Sequence, residues 1–141
     1  MIIETENRDL FTVPQGYYLA HCISADFALG TGVAKTFDEV YNMRLKLFDM
    51  YQDYEYTSGD ALLDDNVFNL VTKAKYYHKP TYDSVKEALE KMKKWMEMLH
   101  ISKVAMPKIG CGLDKLLWIH VYDIICDVFE DTDVEILICE L

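Results

Sequence analysis

The chain has 141 residues, 51% of them apolar, and a formal net charge of −10. This length and apolar fraction predict one globular domain over residues 1–141 and exclude a disordered chain. The negative charge argues against the basic stripe on which binding to unmodified nucleic acid depends, so an anionic ligand would have to bind locally. No apolar run approaches the roughly 20 residues of a membrane span, and the first six residues lack the basic region of a signal peptide. We expect a cytoplasmic monomer without a membrane partner.

The four cysteines indicate neither a disulfide framework nor a metal site. No two of them form a C-x-x-C pair, and their spacing matches no zinc signature. Cys22, Cys126 and Cys139 lie in apolar segments, so we interpret them as buried free thiols, which suits a reducing compartment. We expect no metal and no cofactor.

The first half of the chain predicts short strands and one long helical region. Residues 17–23 form an apolar run typical of a buried strand, and a turn region with two glycines follows it. Residues 33–54 are helical in pattern, but their imperfect apolar spacing leaves open whether they form one helix or two. Residues 61–64 and 67–73 are short strands, joined by a hairpin turn at Asp65 and Asn66.

The second half alternates helices with strands. Thr81 is a good N-cap for a helix whose apolar face recurs at helical spacing: Tyr82, Val85, Ala88, Leu89, Met92, Trp95, Met96 and Leu99. Residues 103–106 form a short strand, and residues 134–140 form the last strand. Between them lies a second amphipathic helix, whose apolar face comprises Leu117, Val121, Ile124, Ile125 and Val128. The resulting order is strand, strand, helix, strand pair, helix, strand, helix, strand. This order predicts an α/β domain of three layers with a mixed sheet.

Two glycine-bearing loops leave strand ends and enter helices: Ser24 to Gly32, and Ile109 to Asp114. Glycine lets a ligand approach the backbone closely, and a helix N-terminus presents free N–H groups. Side by side at one sheet edge, the two loops would cradle a diphosphate, although an ordinary strand-to-helix turn explains either loop taken singly equally well. Neither loop is a G-x-G-x-x-G or a Walker motif, which disfavours a Rossmann or P-loop site.

Four segments resemble the macro domain, and more narrowly its terminal ADP-ribose protein glycohydrolase branch: RDLF (8–11), LAHCISADFALGTGVAKTF (19–37), TKAKYYHKPTY (72–82) and MPKIGCGLDKLLW (106–118). The DNA ADP-ribosylation antitoxins form a neighbouring branch. The resemblance covers nearly the whole chain in order. It implies a mixed sheet of roughly six strands between helices. It also implies that the ligand is ADP-ribose, either as the free molecule or attached to a modified protein.

The resemblance also implies which residues contact ADP-ribose. Asp9 would accept a hydrogen bond from the adenine amino group, with Leu10 flanking it. Ser24 and Asp26 would border the distal ribose. The diphosphate would lie between two backbone segments: Gly30, Thr31, Gly32 and Val33 on one side, and Ile109, Gly110, Cys111, Gly112 and Leu113 on the other. Cys111 would turn away into the sheet or toward the distal ribose.

The catalytic pair of this branch falls on Lys73 and Asp114. The residues alone favour ordinary roles for both, with Lys73 as a surface lysine at a strand end and Asp114 as the N-cap of the next helix. The resemblance instead implies a nucleophilic lysine and an aspartate acid/base. The Asn-Ala-Ala-Asn element of the wider family is absent, which disfavours a mechanism based on that asparagine. We interpret His21 as a hydrogen-bonded core histidine and His78 as a local hydrogen-bonding group, neither of them catalytic.

Three functions remain open at this point. The first is hydrolytic removal of mono-ADP-ribose from acidic side chains, with a related action on O-acetyl-ADP-ribose. The second is an ADP-ribose reader without turnover, which would need neither Lys73 nor Asp114. The third is removal of ADP-ribose from a nucleic acid base, in which the modification itself would anchor binding.

Overall fold

The computed structural model describes residues 1–51 and 56–141, so residues 52–54 of the predicted helical region lie outside the described residues. The strands are β1 (Ile2–Asn7), β2 (Tyr18–Ser24), β3 (Asp60–Asp64), β4 (Val67–Lys73), β5 (Lys103–Met106) and β6 (Glu135–Glu140). The helices are α1 (Gly32–Tyr41), α2 (Met43–Tyr51), α3 (Tyr82–Leu99) and α4 (Trp118–Phe129), and a 3-10 turn spans Leu10–Thr12. The predicted order of elements is confirmed, with two helices in the first helical region.

Within the described residues the strands form one mixed sheet in the order β1-β6-β5-β2-β4-β3. All neighbours are parallel except β3 and β4, which the predicted two-residue turn joins, with Asp65 at a φ of 50°. The carboxyl ends of the parallel strands therefore lie at one edge of the sheet. In sheets of this kind ligands bind at that edge, because loops there feed the helices.

Helices cover both faces of the sheet, which confirms the three-layer prediction. On one face, α3 and α4 pack against Ala20, Phe68, Leu70 and Ile138. On the other face, α1 and α2 pack against alternate residues of the same strands. Because side chains of a strand alternate between the two faces, a sheet covered on both sides has nearly continuous apolar strands, as β4 shows.

The first helical region contains two helices because the chain breaks at Asn42. This residue adopts the left-handed conformation (φ 54°), and its N–H donates to the carbonyl of Asp38. The Asp38 carboxylate accepts a hydrogen bond from the N–H of Arg44 in the first turn of α2. Asparagine tolerates this conformation better than most residues. Of the two alternatives left open by the sequence, two helices is the correct one.

The helix α3 begins as predicted. The Thr81 hydroxyl accepts from the N–H of Ser84, and the Ser84 hydroxyl accepts from the N–H of Thr81, which is a capping box. The predicted apolar face is buried along most of its length, but Leu99 in the last turn is 48% exposed.

The helix α4 differs from the prediction at its start. It begins at Trp118 with Leu117 in the N-cap position, so Leu117 is no part of its buried face and is 59% exposed. The residues before it form tight turns, in which the N–H of Lys115 donates to Gly112 and that of Leu116 to Gly110. These turns keep the backbone out of the helical conformation, so Asp114 does not cap the helix.

The four cysteines are free, and the prediction for their burial is correct in part. Cys139 is buried, whereas Cys22 and Cys126 are only partly so. In residues 1–51 and 56–141, no helix has both the length and the apolar content to cross a membrane.

Candidate active site

A cavity of about 540 Å³ opens at the carboxyl edge of the sheet, between two loops. We call residues 25–31, after β2, the first loop, and residues 107–117, after β5, the second loop. The cavity is lined by the predicted residues Ser24, Gly30, Thr31, Gly32, Val33, Lys73, Ile109, Gly110, Cys111, Gly112, Leu113 and Asp114. The fold thus brings together residues from β2, β4 and both loops around one space.

The two predicted catalytic side chains meet in this cavity. The Lys73 Nζ lies 2.8 Å from the Asp114 Oδ1, although the residues are 41 positions apart in the chain. Their side chains are 16% and 17% exposed, so a ligand in the cavity can reach them while most of the surrounding water is excluded. Neither side chain has the role that the residues alone allowed: Lys73 is not a free surface lysine, and Asp114 is not an N-cap. A partly buried amine beside a carboxylate can perform nucleophilic and acid/base chemistry.

Cys22 also lines the cavity, but it is poorly suited to act as a nucleophile. Burial and the nearby negative charge of Asp114 raise the pKa of the Cys22 thiol to about 12. The reactive form of cysteine is the thiolate, so Cys22 stays neutral at physiological pH. Cys111 is similar, because burial raises the pKa of its thiol. The Cys111 thiol donates to the carbonyl of Ile109 within its own loop, at 3.3 Å.

Asp26 lies beside the cavity and holds the first loop in shape. One carboxylate oxygen accepts from the Ser24 hydroxyl at 2.5 Å and from the N–H of Ala28 at 3.2 Å. The other accepts from the N–H of Tyr76 at 3.0 Å. Burial raises the pKa of Asp26, but the hydrogen bonds from Ser24, Tyr76 and Ala28 outweigh it, and the pKa lies below its usual 3.8. The carboxylate already has three donors, and Ser24 alone of the predicted ribose pair lines the cavity.

The glycines of the two loops differ in what they permit. Gly110 adopts a φ of 72°, and a Cβ there would lie 2.9 Å from the Leu116 Cδ1, so a side chain would strain the loop. At Gly112 a Cβ would meet nothing within 4 Å, which leaves open space against the cavity. Gly32 has a φ of 60°, and a Cβ there would lie 3.9 Å from the Leu113 Cδ1. The two loops therefore face each other closely.

The predicted adenine-binding residues lie at the same sheet edge, outside the cavity lining. Asp9 follows β1 and caps the 3-10 turn, where its Oδ1 accepts from the N–H of Phe11 at 3.0 Å. Its carboxylate is exposed, and the second oxygen can accept another hydrogen bond. Leu10 is 6% exposed and packs in the core instead of standing open beside a ligand. Their contacts to adenine stay predictions.

The interpretation of His21 as a hydrogen-bonded core residue is correct for one of its two ring nitrogens. His21 is 1% exposed, its ring stacks on Phe37, and its Nε2 lies 2.5 Å from the Asn69 Oδ1. The Nδ1 has no hydrogen-bond partner among the described residues. Burial lowers the pKa of His21 to about 4, so the ring is neutral at physiological pH. The His78 ring packs edge-on against Tyr77.

Several residues near the cavity were not predicted, among them three with polar side chains: Tyr76, Lys79 and Lys108. Tyr76 and Lys108 line it, and Lys79 donates from its Nζ to the carbonyl of Leu113 at 3.1 Å. A cluster of lysines and tyrosines directly after Lys73 was the only signal in the sequence that could have indicated two of them. In the part of the chain that the structure describes, no group of three or more His, Cys, Asp or Glu side chains could hold a metal ion.

Comparison with known proteins identifies the family. No family model matches the chain. The chain is 38% identical over 137 residues to the ADP-ribose glycohydrolase OARD1 of Bos taurus and 37% identical to that of Homo sapiens, covering 94% of this chain and 88% of each relative.

Solved structures share the fold at lower identity. The macrodomain of Thermus aquaticus DarG superposes with a TM-score of 0.89 at 21% identity and 99% coverage of both chains. The structure of Thermosipho africanus DarTG in complex with ADP-ribose has a TM-score of 0.80 at 17% identity, covering 97% of this chain and 41% of that one. With the fold and the relatives in agreement, the chain belongs to the macro domain family of the ADP-ribose glycohydrolase OARD1.

Proposed function

We propose that this protein is an ADP-ribose glycohydrolase that removes mono-ADP-ribose from modified acidic side chains. The observation that carries the proposal is the contact of 2.8 Å between the Lys73 Nζ and the Asp114 Oδ1 inside the cavity. The relatives named ADP-ribose glycohydrolase cover nearly the whole chain, which supports this activity for the chain as a whole.

ADP-ribose fits the cavity with its diphosphate between the loops. A cavity of about 540 Å³ lies within the usual range of ligand pockets, about 300–1,000 Å³. The N-terminus of α1 begins at Gly32 and presents free N–H groups to an anion. The open side of Gly112 lets phosphate oxygens approach the second loop. This placement puts the distal ribose at Lys73 and Asp114 and the adenine toward Asp9.

The chemistry proceeds in two steps. In the first, Asp114 takes a proton from the Lys73 ammonium, and the Nζ attacks the anomeric carbon of the distal ribose. The bond from that carbon to the acceptor carboxylate breaks, and its electron pair leaves with the carboxylate. In the second, Asp114 acts as acid/base while water attacks the same carbon, releases ADP-ribose and returns the amine to Lys73.

The test is a panel of substrates: ADP-ribosylated proteins, ADP-ribosylated DNA and O-acetyl-ADP-ribose. Lys73→Ala should bind ADP-ribose and release almost none from a modified substrate. Asp114→Ala should also release little ADP-ribose, because it lacks the group that takes the lysine proton. Where Lys73 loses its proton to solvent instead, a sugar adduct should form and persist, which intact-mass spectrometry detects and peptide mapping should place at Lys73. Since Asp114 does not cap α4, its loss is not expected to unfold that helix.

A second ion pair provides the matched control. Lys93 Nζ lies 2.9 Å from Asp131 Oδ1, away from the cavity lining. Lys93→Ala and Asp131→Ala should hydrolyse the panel at the wild-type rate. Wild-type turnover by Lys73→Ala would refute the lysine mechanism, and binding of ADP-ribose without hydrolysis of any substrate would establish the reader function instead.

We further propose that the protein acts as a cytoplasmic monomer. Both loops and both catalytic side chains come from one chain, so the cavity needs no residue from a second copy. Free thiols at all four cysteines suit a reducing compartment.

A further inference from the structure

The connection from β4 to α3 has an unusual surface, and we call residues 74–79 the basic-aromatic segment. All six residues are exposed, and they comprise two lysines, two tyrosines, one histidine and one alanine, with no acidic residue. Tyr76 and Tyr77 are 66% and 67% exposed, with ring centroids 5.2 Å apart. Adjacent exposed aromatic side chains are typical of surfaces that bind a partner.

The segment lies across the exit from the catalytic pair. It begins directly after Lys73 and contacts both loops: the Tyr76 N–H donates to Asp26 in the first loop, and the Lys79 Nζ donates to Leu113 in the second. Tyr76 also lines the cavity. In the placement proposed above, with the distal ribose at Lys73, a group attached to that ribose would leave the cavity along this segment.

The charge of this exit is opposite to that of the chain as a whole. The net charge is −10, yet Lys75 and Lys79 are accompanied by a third exposed lysine, Lys115, on the second loop. Among the described residues none of the three forms a salt bridge with a carboxylate, although six other lysines do. Lys75 acts on the Asp26 carboxylate from beyond salt-bridge distance, which leaves Lys79 and Lys115 without a carboxylate partner among the described residues. The excess of positive charge at this exit attracts an anionic partner.

Resting on the proposed function, we infer that the basic-aromatic segment and Lys115 bind the acceptor on both sides of the modified carboxylate, and that the preferred acceptor is a protein segment rich in acidic residues. A nucleic acid strand is a poorer fit. It would continue from three cations onto a strongly negative surface, whereas binding of strands normally requires a basic track. A short acidic peptide needs only the local cations, and the two tyrosines can pack against its backbone and side chains.

The experiment compares four substrates. Two are peptides with one ADP-ribosylated glutamate, flanked either by four glutamates or by four glutamines. The third is the ADP-ribose ester of free glutamate, and the fourth an ADP-ribosylated single-stranded oligonucleotide. For the wild type we expect kcat/KM to be about fivefold higher for the acidic peptide than for the amide peptide at low salt, and the preference to shrink as salt screens the charges.

Two variants assign this preference to the segment. Lys75→Glu should abolish the preference for acidic flanks, whereas Lys94→Glu, which changes the net charge equally on the exposed surface of α3, should retain it. Tyr77→Ser should lower kcat/KM for both peptides by about threefold relative to the free glutamate ester, because only the peptides extend over the tyrosines.

The outcomes separate this inference from the proposed function. Hydrolysis of the free glutamate ester with equal kcat/KM for both peptides would overturn the inference alone. A larger effect of Lys75→Glu and Tyr77→Ser on the oligonucleotide than on the acidic peptide would overturn it in favour of a nucleic acid acceptor. Failure to hydrolyse any of the substrates would overturn the proposed function and the inference together.

Discussion

The two loops that bound the cavity are held in place by different means. The first loop is anchored by side chains: Phe27 and Leu29 are 4% and 5% exposed, and the Asp26 carboxylate accepts three hydrogen bonds. The second loop is held mostly by backbone turns and by the conformation of Gly110, and its Leu113 is 65% exposed.

This difference separates stability from function. Phe27 and Leu29 of the first loop belong to the hydrophobic core. Both have a positive φ, which is unfavourable for these residues, so the burial of their side chains is what maintains the shape of the loop. The second loop contributes little to the core beyond Ile109, and it carries Asp114 and the open side of Gly112. Substitutions in the first loop should therefore lower stability, whereas most substitutions in the second should lower binding or turnover and leave stability intact.

The largest effect is expected from Gly112→Glu in the second loop. A side chain there would occupy the space of the diphosphate and repel it, so we expect loss of ADP-ribose affinity of more than about 100-fold. The free energy of unfolding should be close to that of the wild type, because a Cβ meets nothing within 4 Å. Calorimetry measures the affinity, and Gly112→Ala separates bulk from charge. Unaltered affinity of Gly112→Glu would refute the two-loop cradle.

Asp9 lies outside both loops, and its substitution tests the predicted contact with the adenine of ADP-ribose. If its free oxygen accepts from the adenine amino group, Asp9→Ala should weaken ADP-ribose binding by about 1–3 kcal/mol. Asp9→Asn can still accept the hydrogen bond from the N–H of Phe11, but its amide group replaces the second carboxylate oxygen with a hydrogen-bond donor. Both variants should lose discrimination between ADP-ribose and its inosine analogue in calorimetry. Equal discrimination in variant and wild type would reject the assignment.

Asp26→Ala should show the stabilising role of the first loop. It removes the acceptor of three hydrogen bonds, so we expect the free energy of unfolding to fall by about 2 kcal/mol. Denaturant unfolding measures this change, and Asp114→Ala in the second loop is the comparison, with a smaller expected loss. If the two variants lose equal stability, the contrast between the loops is wrong.

Gly110→Ala is the exception expected in the second loop. The φ of 72° and the predicted contact with Leu116 should cost about 1 kcal/mol of stability. Gly112→Ala, two residues away and free of both constraints, should cost less. Thermal unfolding of the two variants in parallel tests the difference, and equal melting temperatures would show that the strain at Gly110 is absorbed by the loop.

The smallest effect concerns pH. The pKa of Asp26 lies below its usual 3.8 in the folded protein, so the unfolded state binds its proton first as the pH falls. The stabilisation from Asp26 is therefore complete above the usual pKa and lost as the pH falls through the folded value. The advantage of the wild type over Asp26→Asn should be constant from about pH 7 to 5 and shrink below about pH 4. An advantage that grows toward low pH would contradict the sign.

Local patterns in the sequence were sufficient for the elements of the fold. Apolar residues at helical spacing predicted α3, and Thr81 predicted its start, because helix periodicity and capping involve residues within a few positions of one another. The glycines predicted where the backbone would approach a ligand for the same reason. The start of α4 was misjudged, since Leu117 fits the apolar period while the turns around Gly112 prevent the helix from starting there.

What the sequence determined by itself is the order of the elements and, through the resemblance, the identity of many residues that line the cavity. Only the tertiary structure decided that Lys73 and Asp114 meet at 2.8 Å, that Asp26 serves as an acceptor for the first loop, and that residues 74–79 connect both loops. These contacts join segments distant in the chain. Their geometry depends on the parallel pairing of β2 with β4 and β5, which places the strand ends at one edge, and no local pattern encodes that distance.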